Sequence, residues 1–150
     1  GSYPDDRPAF LESRKAAAAL GATYEWNKLE GVTNTNGTVY VAISEITESM
    51  VKDWGHVNWA SGQKDTADQG DIALDKEACG AVYRGTMSSD YNLTRLVPAV
   101  VGKTTDGKKR CDDGGIAHPD NILGLSNGSL IIAEDAGKSA HPVDMLWLRK

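Results

Sequence analysis

Glu30 and Asp120 are the acids whose placement could do chemistry, because each opens the same short pattern. Glu30-Gly31-Val32 leads to Asn36-Gly37-Thr38-Val39-Tyr40-Val41-Ala42. Asp120-Asn121-Ile122 leads to Asn127-Gly128-Ser129-Leu130-Ile131-Ile132-Ala133, with one extra residue before the second turn. A further acidic pair, Glu134-Asp135, stands just after the later run. Carboxylates at matching strand mouths converge when the repeats share an axis, and converging carboxylates repel unless a cation binds between them. Oxygen-rich strand ends favour a hard cation. The competing reading is that Glu30 and Asp120 are surface turn acids.

Other chemistries lack their residues. No Gly-x-Ser-x-Gly elbow is present, and His56, His118 and His141 show no i, i+4 metal spacing. Cys79 and Cys111 are too few and too far apart for a zinc site. Free buried thiols and a disulfide both remain open for them. Gly102-Lys103-Thr104 ends like a phosphate-binding loop, yet Val97 stands where the first glycine must be for backbone N–H groups to face phosphates. Asp65, Asp68, Asp71 and Asp75 read as a solvated acidic loop, since Ala67 and Gln69 occupy ligand positions of a calcium loop. Of the Asn-x-Ser/Thr sequences at Asn36, Asn92 and Asn127, those at Asn36 and Asn127 are also Asn-Gly turns, which accounts for them without glycosylation.

The elements that must position the acids are strands. Apolar runs at Ile122–Leu125, Leu130–Ala133 and Met145–Leu148 are separated by Asn127-Gly128 and by Glu134-Asp135. Each Asn-Gly step suits a two-residue type I′ turn, which needs positive φ twice. Cys79–Arg84 follows the first hairpin as Asp144–Leu148 follows the second. Repeats of strand, turn, strand, strand suggest propeller blades. The expected fold is mostly β, a partial β-propeller of about two blades. A first blade spans 30–97 with a polar insertion at 45–78, and an incomplete second blade spans 120–148. Strand candidates of the first blade are Gly31–Thr33, Thr38–Ser44, Ala81–Arg84 and Leu93–Val97, the last two forming a hairpin around Met87–Asp90. Asp6 as N-cap, Pro8 in the first turn and Gly21 as a stop predict a helix over about 7–20, with Phe10, Leu11, Ala18 and Leu20 available to pack on a sheet. Trp54, His56 and Trp59 are the bulky anchors of the insertion.

With 150 residues the chain has room for one domain with a core. A net charge of −5 argues against nucleic acid, which requires a basic face. No apolar run approaches the roughly 20 residues of a spanning helix, and no charged-then-apolar signal segment opens the sequence.

The stretches LGATYEWNKLEGVT, CGAVYR, KKRCDDGGIAHPDNI, and LIIAED followed by DMLWL resemble the PhoX-type alkaline phosphatases, over about Arg14 to Trp147. That bacterial family consists of β-propeller, metal-dependent phosphomonoesterases, and the likeness covers an interior part of its longer members. The resemblance implies calcium and iron in the propeller channel, binding and polarising phosphate. It implies that Glu30 is a metal ligand and Asp120 a calcium-binding acid, with Asn121 beside it. Glu134, of the recurrent Glu134-Asp135 pair, is carried as a further metal candidate. No catalytic residue is assigned. Cys79 and Cys111 match the family's scaffold pair, which favours the disulfide and a periplasmic or secreted location. The implied partners are a phosphomonoester and the remaining blades or other copies of the chain, which is expected to be inactive alone. The alternative is a non-catalytic, calcium-stabilised propeller module that binds a partner through Glu45–Ala78. The outer edge of the last strand is expected to seek a partner.

Overall fold

A computed structural model of the chain describes residues 5, 7–23, 25–52, 71–107 and 109–150. They fall into two compact units, Gly1–Asn27 with Glu48–Leu74, and Lys28–Thr47 with Asp75–Lys150.

In the first unit the helix expected over 7–20 is interrupted at Glu12, whose backbone leaves the helical region (φ −141°, ψ 48°). The result is α1 (Arg7–Leu11) and α2 (Ser13–Ala19). The break separates Phe10 and Leu11 from the alanine run, so no continuous apolar stripe forms. Phe10, Leu11 and Leu20 are accordingly exposed, contrary to expectation, and Ala16 is buried. Asp5 accepts the Arg7 N–H at 2.9 Å, while Asp6 lies outside the described residues. Of the insertion, a 3₁₀ turn at Glu48–Met50 is described, and Val51 bridges Leu74. The buried Glu25 side chain accepts the Ile72 N–H at 2.6 Å, and its carbonyl accepts Ser49 Oγ–H at 2.8 Å. Trp54, His56, Trp59, Asp65 and Asp68 lie outside the described residues.

The second unit is built of two antiparallel sheets. β1 (Leu29–Thr35), β2 (Thr38–Ile43), β3 (Ala81–Thr86) and β4 (Val97–Val101) pair in chain order. β5 (Pro119–Gly124), β6 (Leu130–Glu134) and β7 (Leu146–Arg149) do the same. This is a mostly β architecture, consistent with a partial propeller whose first sheet has four strands and whose second has three. The two turns differ. Asn36 and Gly37 have φ of 50° and 75°, as a type I′ turn requires, and Thr35 pairs directly with Thr38. At the second turn only Gly128 is left-handed (φ 85°), and the Gly128 and Leu125 N–H groups donate to the Leu125 and Ser129 carbonyls. The extra residue before Asn127 turns the expected two-residue turn into a longer loop closed by the left-handed glycine.

The strand expected at Leu93–Val97 instead occupies Val97–Val101. Leu93 makes only an isolated bridge to Met87. Pro98 does not bar pairing because β4 is an edge strand, where a missing N–H can face away from the ladder.

β1 and β5 lie side by side and run the same way. Gly124 N–H donates to Thr33 Oγ1 at 3.0 Å, and Thr35 Oγ1–H donates to the Leu125 carbonyl at 2.7 Å. Between the sheets Val82, Ile116, Leu130 and Ile132 are buried, flanked by Tyr40, Val100, Ile122 and Trp147. A second cluster gathers Cys79, Cys111, Ala117, Ala136 and Ala140.

Cys79 and Cys111 form a disulfide, both ends buried, spanning 32 residues. Closing a loop of that length restricts the unfolded chain, and reduction is expected to cost about 3–4 kcal/mol in the loop-entropy account. Urea denaturation with and without reductant measures the difference, and native protein should take up thiol reagent only after reduction.

Candidate functional site

The two repeats present their acids through the same local device. Lys28 and His118 precede β1 and β5, and both have left-handed backbones, with φ of 56° and 43°. This conformation is uncommon for residues with a Cβ. It is held by matching hydrogen bonds: Ser44 N–H to the Lys28 carbonyl (3.0 Å) and Asp135 N–H to the His118 carbonyl (3.1 Å). The pairing register then shifts between Leu29 and Val32 in one strand and between Pro119 and Ile122 in the other. Such bulges re-aim side chains, and here each includes the acid, Glu30 or Asp120.

These equivalent trios, Lys28, Glu30 and Ser44 with His118, Asp120 and Asp135, line one polar cavity of about 150 Å³ together with Glu45. Gly31 makes the convergence possible. A Cβ built there would come within 2.5 Å of the Asp120 carbonyl oxygen and 3.0 Å of Ile122 N. Ser44 Oγ–H donates to Glu30 Oε1 at 3.2 Å. Half-buried Asp120 has its pKa pushed above the ordinary carboxylate value, first by burial and then by the charges of Glu30 and Asp135. Four carboxylates line this cavity, Glu30, Glu45, Asp120 and Asp135, and like charges gathered on one wall repel. Among the described residues no group of three or more His, Cys, Asp or Glu side chains is placed to hold a metal ion by itself. Cys79 and Cys111 are committed to the disulfide and offer no thiolate for iron.

Of the other sequence candidates, Asn121 is exposed and does not line the cavity. Glu134 points the other way. Leu130, Ile132 and Glu134 share the buried face of β6, and strand alternation sends Asp135 to the cavity instead. The Glu134 side chain is fully buried. Its Oε1 accepts Ala117 N–H (2.8 Å) and Trp147 Nε1–H (2.6 Å), and its Oε2 accepts Met145 N–H (3.1 Å) and pairs with His141 Nδ1 (2.9 Å). The other ring nitrogen of His141, Nε2, lies 3.0 Å from the Asp112 carbonyl. Both ring nitrogens therefore face acceptors, and only the doubly protonated ring satisfies both. Burial opposes that charge, but the hydrogen bonds to Glu134 and Asp112 and the charges of Glu134 and Asp113 outweigh it, and the pKa is raised. The parity of β6 was the signal in the sequence that separates Glu134 from Asp135; His141 carried none.

A family model described as alkaline phosphatase PhoX matches residues 2–147. The chain belongs to this family. PhoX proteins are metal-dependent phosphatases, typically exported, and the Cys79–Cys111 bond accords with an oxidising compartment. No curated protein and no solved structure matches the chain. Among the described residues, no helix is long and apolar enough to cross a membrane.

Proposed function

We propose that this PhoX-family chain contributes one wall of the metal centre of a phosphomonoesterase, with Glu30, Asp120 and Asp135 as oxygen ligands of a calcium ion. The observation that carries the reading is the pair of repeat-related bulges that bring Glu30 and Asp120 to one cavity. A cation bound there would attract and polarise a phosphate oxygen. Ser44 orients Glu30 through its hydroxyl, and Lys28 places a positive charge on the same wall. Glu134 acts at one remove: it fixes the end of β6, so that Asp135 leaves the strand toward the cavity. The remaining ligands, and the iron of the family's centre, would come from other blades. β7 has no strand on its outer side among the described residues, and its exposed Leu146 and Leu148 mark the edge where further blades or another copy would pair.

Calorimetric titration of the full chain with calcium tests the reading. Asp120→Asn is expected to weaken binding by about tenfold or more, since affinity follows the charge of the ligand set. The same substitution should raise the stability of the metal-free chain, because it removes the repulsion at the cavity. Asn121→Ala should leave affinity within about twofold of wild type, as expected for a residue that is not a ligand. Calcium affinity unchanged in Asp120→Asn would reduce that residue to a turn acid.

A further inference from the structure

The geometry points to a second site, of opposite charge, at the other end of the first sheet: a groove that binds small oxyanions through Arg84 and Arg95. The groove has a volume of about 420 Å³ and is lined by both arginines and by Thr38, Thr86 and Thr94, with no carboxylate among the described residues of its wall. That size is in the range of small-molecule clefts and exceeds what a bare phosphate fills.

The fold makes the groove by ending one ladder early. Arg84 pairs with Val97 as the last step between β3 and β4, while β3 continues to Thr86, which pairs with Thr38. Beyond that step residues 93–95 close down on Gly85, where a Cβ would lie 2.4 Å from the Arg95 carbonyl and 2.5 Å from Leu93 Cδ1. The absent side chain thus lets the loop bring Arg95 beside the strand that carries Arg84. Both arginines are exposed, and among the described residues neither guanidinium side chain has a hydrogen-bond or ion-pair partner. In a chain with 21 acidic and 16 basic residues, two unneutralised guanidinium groups on one concave surface are a local reversal of sign. Guanidinium forks match the planar oxygen pairs of carboxylate and phosphate, and threonine hydroxyls add neutral donors. Along β2 the groove at Thr38 and the cavity at Ser44 are about 20 Å apart, so one ligand atom cannot serve both.

The test is a titration of the full chain in chelator, which removes cation-mediated phosphate binding at the carboxylate cavity. The Nε–Hε resonances of Arg84 and Arg95 are followed by NMR as inorganic phosphate, glycerol 2-phosphate or citrate is added. Saturable shifts are expected, with affinity about tenfold or more weaker in Arg84→Gln and Arg95→Gln, the loss of a charge-assisted hydrogen bond. Asp120→Asn should bind as wild type does. Response to both phosphates but not citrate makes the ligand a phosphate compound, and response to all three makes it any small oxyanion; either supports the site. Shifts that chloride reproduces at equal ionic strength, or affinities unchanged in both arginine variants, overturn it.

Discussion

Glu134→Ala is expected to cost the chain about 3–5 kcal/mol of folding stability, the penalty for stranding one partner of a buried charge pair. The carboxylate takes donors from three parts of the second sheet's surroundings: Ala117 before β5, Met145 and Trp147 at β7, and His141 between β6 and β7. Alanine leaves all four unpaired in a buried site, and each buried polar group without a partner adds its own desolvation cost. Glu134→Gln keeps the shape, but its amide must turn at least one donor toward another donor, so an intermediate loss is expected. Urea denaturation of the three proteins at pH 6 orders them. The pair also makes stability depend on pH. Because the folded pKa of His141 lies above its unfolded value, its contribution is fully present below that unfolded value and is lost as pH rises through the folded one. Denaturation midpoints should therefore fall as pH rises above the unfolded histidine value, and His141→Gln should flatten that fall. A wild-type midpoint constant across this range would mean the ring is not charged in the fold.

Gly31→Ala is expected to damage stability and cation binding together. All three atoms nearest the added methyl belong to the β5 backbone, the Asp120 carbonyl oxygen, Ile122 N and Asn121 Cα, and no flexible side chain can give way. β1 and β5 must move apart, which strains the hydroxyl bonds from Thr33 and Thr35 and separates Glu30 from Asp120. A cost of about 3 kcal/mol is expected, at the upper end of overpacking effects. Calcium affinity should drop with it. Gly37→Ala, at a turn with nothing near the added methyl, is the comparison: it pays for backbone strain at φ 75° but should leave calcium affinity as it was. Equal calcium affinity in Gly31→Ala and wild type would show that strand spacing does not set the cavity.

The repeat made the acids legible. Glu30 and Asp120 each follow a strand entrance and precede an Asn-Gly turn, and that local pattern is enough to place them alike in two sheets. The disulfide was legible only through the family's likeness, since nothing in the spacing of Cys79 and Cys111 pairs them. What stayed hidden depended on neighbours distant in sequence. His141 is buried because Glu134 and Asp112 meet it from other loops, and no periodicity announces that. β4 starts where the strand expected at Leu93–Val97 ends, and its edge position makes Pro98 harmless. Phe10 and Leu11 would share a face with Leu20 only on a continuous helix, and the backbone breaks it at Glu12.

The join between β1 and β5 is made by threonine hydroxyls near the hairpin end and by bare backbone contact at Gly31, with no ladder along the strands. A ladder would hold the two strands at one spacing throughout. Here the hydroxyl bonds lie toward the hairpin end, and beside Glu30 and Asp120 the strands meet only where Gly31 lies against the β5 backbone. On the ligand set proposed above, such a join suits an ion that accepts irregular, longer oxygen contacts, as calcium does and magnesium does not.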